Sequence, residues 1–298
     1  MDQLTASRIV EENRRLHEAP GYAARYNQAC GIMAHPWEQT VFERDVRDVH
    51  TLLGSPEGKR VLDVGCGTGS LSLRFLERGF FVVGLDLAAA MLGQLRAKAA
   101  ERGLLGLLTT QEATADEYLG ASGEAFDAIV FSAVLHHLPN YLDTLRLAAG
   151  RTRVGGVIYI VHEPSLSSRV GFVSKALEVL DRSMAELPGF LRRQLEDMRR
   201  QGVVTCVSRK LRRRLFRGPL PQETAKKPAA DDAVDWALVD YHSKHGGCDE
   251  EAIATLLRQE GFAVGLRRYD SKRHRVFHLL AKLLRTERML RVVAIRQR

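Results

Sequence analysis

Apolar positions in this chain change period several times, and the changes mark its elements. Val61, Leu62 and Val64 form a short β-branched run after Arg60, the pattern of a parallel strand covered on both faces. Three glycines at alternate positions follow, Gly65, Gly67 and Gly69, and from Ser70 to Arg78 the spacing of Leu71, Leu73 and Phe75 predicts a helix capped by Ser70. Further strands are predicted at 80–86, 104–109, 125–132 and 155–164, with helices at 88–102 and 141–149 between them. After a long interval, 249–261 reads as a helix stopped by glycine, and 262–269 and 289–296 read as strands. Before the first strand, residues 1–55 are mostly helical, broken at Pro20-Gly21. Trp37 to Leu53 is the most amphipathic piece, with Val41, Val46, Val49, Leu52 and Leu53 as its inward positions.

Strands alternating with helices predict an α/β, doubly wound, mostly parallel sheet. In such a sheet the glycine turn lies at the carboxyl edge, where glycine lets the backbone approach a ligand and a helix N-terminus follows. The spacing is G-x-G-x-G with an acid, Asp63, two residues ahead, and the second strand ends in Asp86. A carboxylate there can accept both hydroxyls of a ribose. Together these motifs resemble the class I S-adenosylmethionine-dependent methyltransferases, whose first motif is an acid followed by alternate glycines and whose second is an acid ending strand two. Phe126-Asp127 at the start of strand four and Leu135-His136-His137-Leu138 at its end resemble the small-molecule and quinone-pathway members. The Asn/Asp-Pro-Pro-Tyr/Phe motif of nucleobase-amine methyltransferases is not present there.

The resemblance implies a seven-stranded sheet in the order 3-2-1-4-5-7-6, with a core at 57–163 and 249–298, an N-terminal helical lid at 1–56 and a helical substrate-binding insertion at 164–248. It implies S-adenosylmethionine as cofactor, held by Asp63, Gly65, Cys66, Gly67, Gly69, Asp86, Leu87, Met91, Ser132 and Leu135. Glu112 would accept from the adenine amino group, and the Ala113 amide would read the ring. Tyr26, Trp37, Glu163 and Tyr241 are the residues expected to shape the substrate pocket. His136 and His162 are the candidate general bases, because imidazole titrates near neutrality and both follow strands at the ligand edge. Adjacent residues diverge, so His137 is expected to face away. Methyl transfer to a hydroxyl of a natural product, sugar or quinone-like compound is the predicted activity. The alternatives are an RNA-directed methyltransferase that uses the basic insertion and a catalytically silent cofactor-binding partner.

Composition bounds these readings. The chain has 298 residues, 45% hydrophobic and 27% charged, enough for a large core. No apolar run is long enough to span a bilayer, and the first residues lack a secretory pattern. Four isolated cysteines, 30, 66, 206 and 248, predict neither a disulfide framework nor a metal site and fit a reducing cytoplasm. The net charge of +8 is uneven: residues 191–218 hold ten Lys/Arg against two acids, and a second basic region spans 267–298. Three readings of these regions are a solvated face, peripheral contact with an anionic membrane, and nucleic-acid binding. Without aromatic interleaving the last is the least favoured.

Overall fold

In the computed structural model, residues 1–29, 36–121, 123–166, 173–177, 179–181, 234–270 and 275–298 are described. Seven strands form one sheet in the order β3-β2-β1-β4-β5-β7-β6. They are β1 (Arg60–Val64), β2 (Phe81–Asp86), β3 (Leu108–Glu112), β4 (Phe126–Ser132), β5 (Thr152–Pro164), β6 (Phe262–Tyr269) and β7 (Met289–Arg296). β1 to β5 pair in parallel, and β7 lies antiparallel between β5 and β6. The order is the one the resemblance implies, and both late strands lie where the sequence predicts them. β1 and β4 are almost wholly buried, as central strands covered on two faces must be.

The helices are α1 (Gln3–Glu18), α2 (Tyr22–Ala29), α3 (Pro36–Leu53), α4 (Ser72–Leu76), α5 (Ala89–Glu101), α6 (Ala115–Gly120), α7 (Tyr141–Gly150), α8 (Trp236–Val239), α9 (Tyr241–Lys244), α10 (Glu250–Gln259) and α11 (Arg275–Leu283). Two apolar clusters cover the sheet. One packs α6, α7 and α10 on one face, around Leu145, Ile253 and Leu257. The other packs α3, α4 and α5 on the opposite face, around Phe42, Phe75 and Leu95.

Four local expectations are corrected. β3 is Leu108–Glu112 rather than 104–109, because Gly103 (φ 70°) closes α5 and Leu105–Leu107 forms a 3-10 turn. β3 is the sheet's edge, so its polar, half-covered sequence hides it from an apolarity scan. The helix after the glycines is only Ser72–Leu76, and Ser70 does not cap it; Leu71 stands at the cap with no side-chain bond. In α3, Val41, Val46 and Val49 are buried but Leu52 is 42% exposed. Of the helical insertion predicted at 164–248, residues 173–177 and 179–181 are helical, and the basic stretch 191–218 lies outside the described residues.

Candidate active site

At the carboxyl edge the loop after β1 turns through three left-handed glycines, with φ of 66° at Gly65, 53° at Gly67 and 89° at Gly69. Beyond the backbone conformation, the space around each differs. A Cβ on Gly65 would stand 2.3 Å from Val134, and one on Gly69 would stand 2.4 Å from Leu95. At Gly67 a Cβ would meet only the Tyr26 ring, at 3.9 Å, across the cavity. Asp86 closes the loop: its Oδ2 accepts from the Gly67 amide at 2.8 Å and its Oδ1 from the Ala88 amide at 3.0 Å. Each carboxylate oxygen keeps a further lone pair for a ligand hydroxyl. Burial raises the Asp86 pKa, against the charge of His17 and the two amides. On the loop's outer side the Lys98 ammonium donates to the Thr68 carbonyl at 3.0 Å.

A cavity of about 460 Å³ opens over this loop. Gly65, Gly67, Asp86, Leu87 and Met91 form its floor, with Ala113 at one end. The roof is the N-terminal segment: Tyr26 from α2, and Ser7, Val10, Arg14 and His17 from one face of α1. His137, Leu138, Pro139 and Asn140 close the other end. The α1 residues were not legible as site residues from the sequence. Their signal was their spacing, 7, 10, 14 and 17, one helical stripe turned from the buried Ile9 and Leu16. α1 is tied down by Glu18, which accepts from the Ala90 amide at 3.2 Å, and by Glu12, which accepts from the Asp235 amide at 2.7 Å.

Several predicted residues lie behind the cavity wall rather than on it. Asp63 is buried and accepts from the Ser72 hydroxyl at 2.6 Å; burial pushes its pKa up to about 7. Cys66 points to Gly84 beneath the loop, and burial, with Asp86 and Asp63, pushes its thiol well up. Gly69 packs on Leu95, and Leu135 is in the apolar core. Ser132 lies 3.2 Å from His162 Nδ1. Glu112 ends β3 exposed, outside the cavity. The Ala113 amide, expected to read a ring, instead donates to the Asp86 carbonyl at 3.2 Å. Trp37 belongs to α3, but its side chain lies outside the described residues. Tyr241 stacks on His245, with 4.2 Å between ring centroids, away from the cavity.

The histidines exchange places. His162 sits at φ 59° where β5 departs from its register with β7, buried against Phe42 at 4.6 Å between centroids. Sequence position placed it at the ligand edge, but the irregularity turns it under α3. His136 is held by Glu163, whose Oε2 lies 2.8 Å from the ring Nδ1. Glu163 is fully buried and also accepts from the amides of Val134 (2.6 Å), Leu135 (2.9 Å) and His136 (3.2 Å). It therefore fixes the turn after β4 and does not face a substrate. Burial pushes the His136 pKa down, but the charge and hydrogen bond of Glu163 override it, and the net shift is upward. Glu163 itself is held below the usual carboxylate range: burial opposes this, but His136 and the amides outweigh it.

His137, expected to face away, lines the cavity. Its Nδ1 lies 2.6 Å from the Val239 carbonyl, so that nitrogen carries the proton and Nε2 carries the lone pair. Burial, then the adjacent His136 ring at 4.0 Å, drives its pKa well below the usual value. The 3-10 turn Leu135–His137, invisible to a strand-end argument, reverses which of two neighbours faces the ligand edge.

These features agree with known proteins. Residues 61–156 match the family described as a methyltransferase domain. The ubiquinone biosynthesis O-methyltransferase of Aeromonas salmonicida (strain A449) is 37% identical over 103 residues, 35% of this chain and 42% of that protein. The protein of the same name from Aromatoleum aromaticum (strain DSM 19018 / LMG 30748 / EbN1) is 30% identical over 140 residues, 44% of this chain and 59% of that one. The chain thus spans about half the length of the curated relatives it matches. The magnesium protoporphyrin IX methyltransferase of Synechocystis PCC 6803 shares the fold, with a TM-score of 0.54 at 17% identity over 97% of this chain and 99% of that one. An O-methyltransferase family protein from Burkholderia thailandensis aligns with a TM-score of 0.55 at 15% identity over 95% of this chain and 61% of that one. By similarity, residues 61–156 match a methyltransferase domain, and the whole chain shares its fold with solved methyltransferases.

Proposed function

We propose that this chain transfers a methyl group from S-adenosylmethionine to a hydroxyl of a small, quinone-like acceptor. The observation that carries the reading is the cavity that joins the glycine loop and Asp86 to a neutral histidine. Its volume falls in the range of cofactor pockets. Gly67 leaves bare backbone where a side chain would intrude, and Asp86 presents free lone pairs to vicinal hydroxyls. The residues therefore fit the cofactor, whose sulfonium supplies the reactive methyl group when bound.

The chain's own contribution is alignment, exclusion of water and proton removal. Asp86 and the Gly67 backbone hold the sugar end, and Leu87, Met91 and Ala113 form an apolar slot for the base. His17 and Tyr26 cover the site from α1 and α2. His137 is the catalytic base: Nδ1 is anchored on Val239, and Nε2 is unprotonated at neutral pH and accepts the acceptor's hydroxyl proton. General base assistance of this kind is worth about 10²–10⁴-fold. The names of the curated relatives favour an aromatic or quinol hydroxyl over a sugar.

The test is direct. Calorimetry with S-adenosylmethionine and its demethylated product should show binding that Asp86→Ala weakens by about 100-fold, the size of a lost charge-assisted pair of hydrogen bonds. Mass spectrometry with isotopically labelled cofactor and a panel of catechol and hydroquinone acceptors should then show labelled product. No uptake of either nucleoside, or undiminished binding by Asp86→Ala, refutes the reading.

A further inference from the structure

α11 connects the end of β6 to the start of β7, and both those strand ends lie beside Pro164, the end of β5. α11 therefore sits at the carboxyl edge of the parallel strands, the edge that carries the cavity. Its inner face is satisfied: Phe277 and Ala281 are buried against Leu177. Its outer face is not polar. Val276, Leu279 and Leu283, at i, i+3 and i+7, are 51%, 69% and 75% exposed. Leu284 just beyond the helix is 49% exposed, and Val173 and Leu180 on the helical segment that packs against it are 47% and 53% exposed. Single exposed leucines are ordinary, but a stripe of them at helical spacing is not.

Cations border the stripe. Residues 275–288 hold four, Arg275, Lys282, Arg285 and Arg288, against one acid, Glu287. Lys282 and Arg285 are exposed. The helix ends in a left-handed residue, Arg285 (φ 54°), with the Thr286 amide donating to the Ala281 carbonyl at 2.8 Å, so the stripe stops abruptly rather than fraying. Nine residues span about 13 Å, less than half a bilayer's hydrocarbon core, so the helix can lie on a membrane but not cross it. An apolar face edged by Lys and Arg is what an interfacial helix needs. A second copy of the chain fits less well, because a two-fold contact would set this cationic border against itself.

We propose that the exposed face of α11, with Leu279 and Leu283 at its centre, docks on an anionic phospholipid bilayer and turns the cavity edge toward it. The proposal does not depend on methyl transfer and would stand if the acceptor proved to be of another class. It deepens the general expectation of membrane contact through basic helices by naming apolar side chains as the inserting groups. Charge steers the approach, worth about 1 kcal/mol per Lys or Arg near the surface. The leucines then insert.

The full chain is sedimented with vesicles of phosphatidylcholine alone and with about one-third phosphatidylglycerol. Binding should be confined to the anionic vesicles and should fall at high salt. The double variant Leu279→Glu/Leu283→Glu should bind at least about tenfold more weakly. Leu105→Glu, at a half-exposed leucine on the opposite edge of the sheet, should bind as the parent does. Should the double variant fold poorly, L279W provides a second measurement: its fluorescence should be quenched by lipids carrying a spin label in the acyl chain. Failure of the parent to bind anionic vesicles overturns the proposal. So does binding that the double variant retains, an L279W signal that lipid does not quench, or a self-association lost in the double variant without vesicle binding.

Discussion

Two adjacent imidazoles in this protein carry opposite tendencies, and the difference comes from one carboxylate. Glu163 pushes the His136 pKa up, and charge on the His136 ring, which lies against His137, pushes the His137 pKa down. His137→Asn should therefore lower kcat by about 10²–10⁴-fold while the cofactor binds as before, as turnover assays and calorimetry would show. Glu163→Gln gives a signed pH effect. Without the anion the His136 pKa falls, its repulsion of His137 weakens, and the His137 pKa rises. The acid limb of kcat/KM should move to higher pH, with the plateau largely kept. His136→Asn should move that limb in the same direction, because it removes the same source of repulsion. A merely structural role for Glu163 would lower the plateau and leave the limb where it was.

At the scale of elements, the glycine loop separates two costs that a motif treats as one. Gly67→Ala adds a methyl group into open cavity, so its stability cost is that of a left-handed alanine, about 1–2 kcal/mol. Its main effect should be weaker nucleoside binding, read by calorimetry. Gly69→Ala carries the same backbone cost and drives a methyl into Leu95, so unfolding in urea should show a loss of about 2–4 kcal/mol. The helical roof illustrates another division. The Val239 carbonyl accepts from both His137 Nδ1 (2.6 Å) and the Asn13 side-chain amide (3.4 Å), so one backbone atom orients the proposed base and ties down α1. Val239 is more than a hundred positions from His137 in the chain, and its part in the site could not be read from either segment alone.

For the whole molecule, buried acids tie the halves together and make stability depend on pH. Asp63 stays protonated up to about pH 7 in the folded chain, whereas an unfolded carboxyl ionises near 3.9. Between those values the folded state binds more protons, so this group's stabilisation, complete below about pH 4, is lost as pH rises toward 7. Asp63→Asn should flatten that window, as urea midpoints across it would show. On the same face of the sheet Tyr159 donates to Asp45 at 2.6 Å and accepts from Arg291 at 2.7 Å, while Arg291 also pairs with Asp48. This cluster joins α3 to β5 and β7. Tyr159→Phe should cost about 1–3 kcal/mol by leaving buried charged partners unsatisfied.

The sequence by itself determined the strand order's ingredients, the glycine turn and the acid ending β2. Each is local: β-branched runs, positive-φ residues and a carboxylate at a strand end depend on a few neighbouring positions. The cavity's floor, with Gly65, Gly67, Asp86, Leu87 and Met91, was legible for that reason. Tertiary structure alone decided which histidine faces the ligand edge, because a 3-10 turn after β4 and a register shift in β5 rotate side chains by amounts that no periodicity records. It also decided that Asp63, Cys66 and Glu163 support the loops from behind, since whether a polar side chain meets the cavity or a buried amide depends on what packs across from it. The roof came from α1, whose contacts with the site bridge segments distant in the chain.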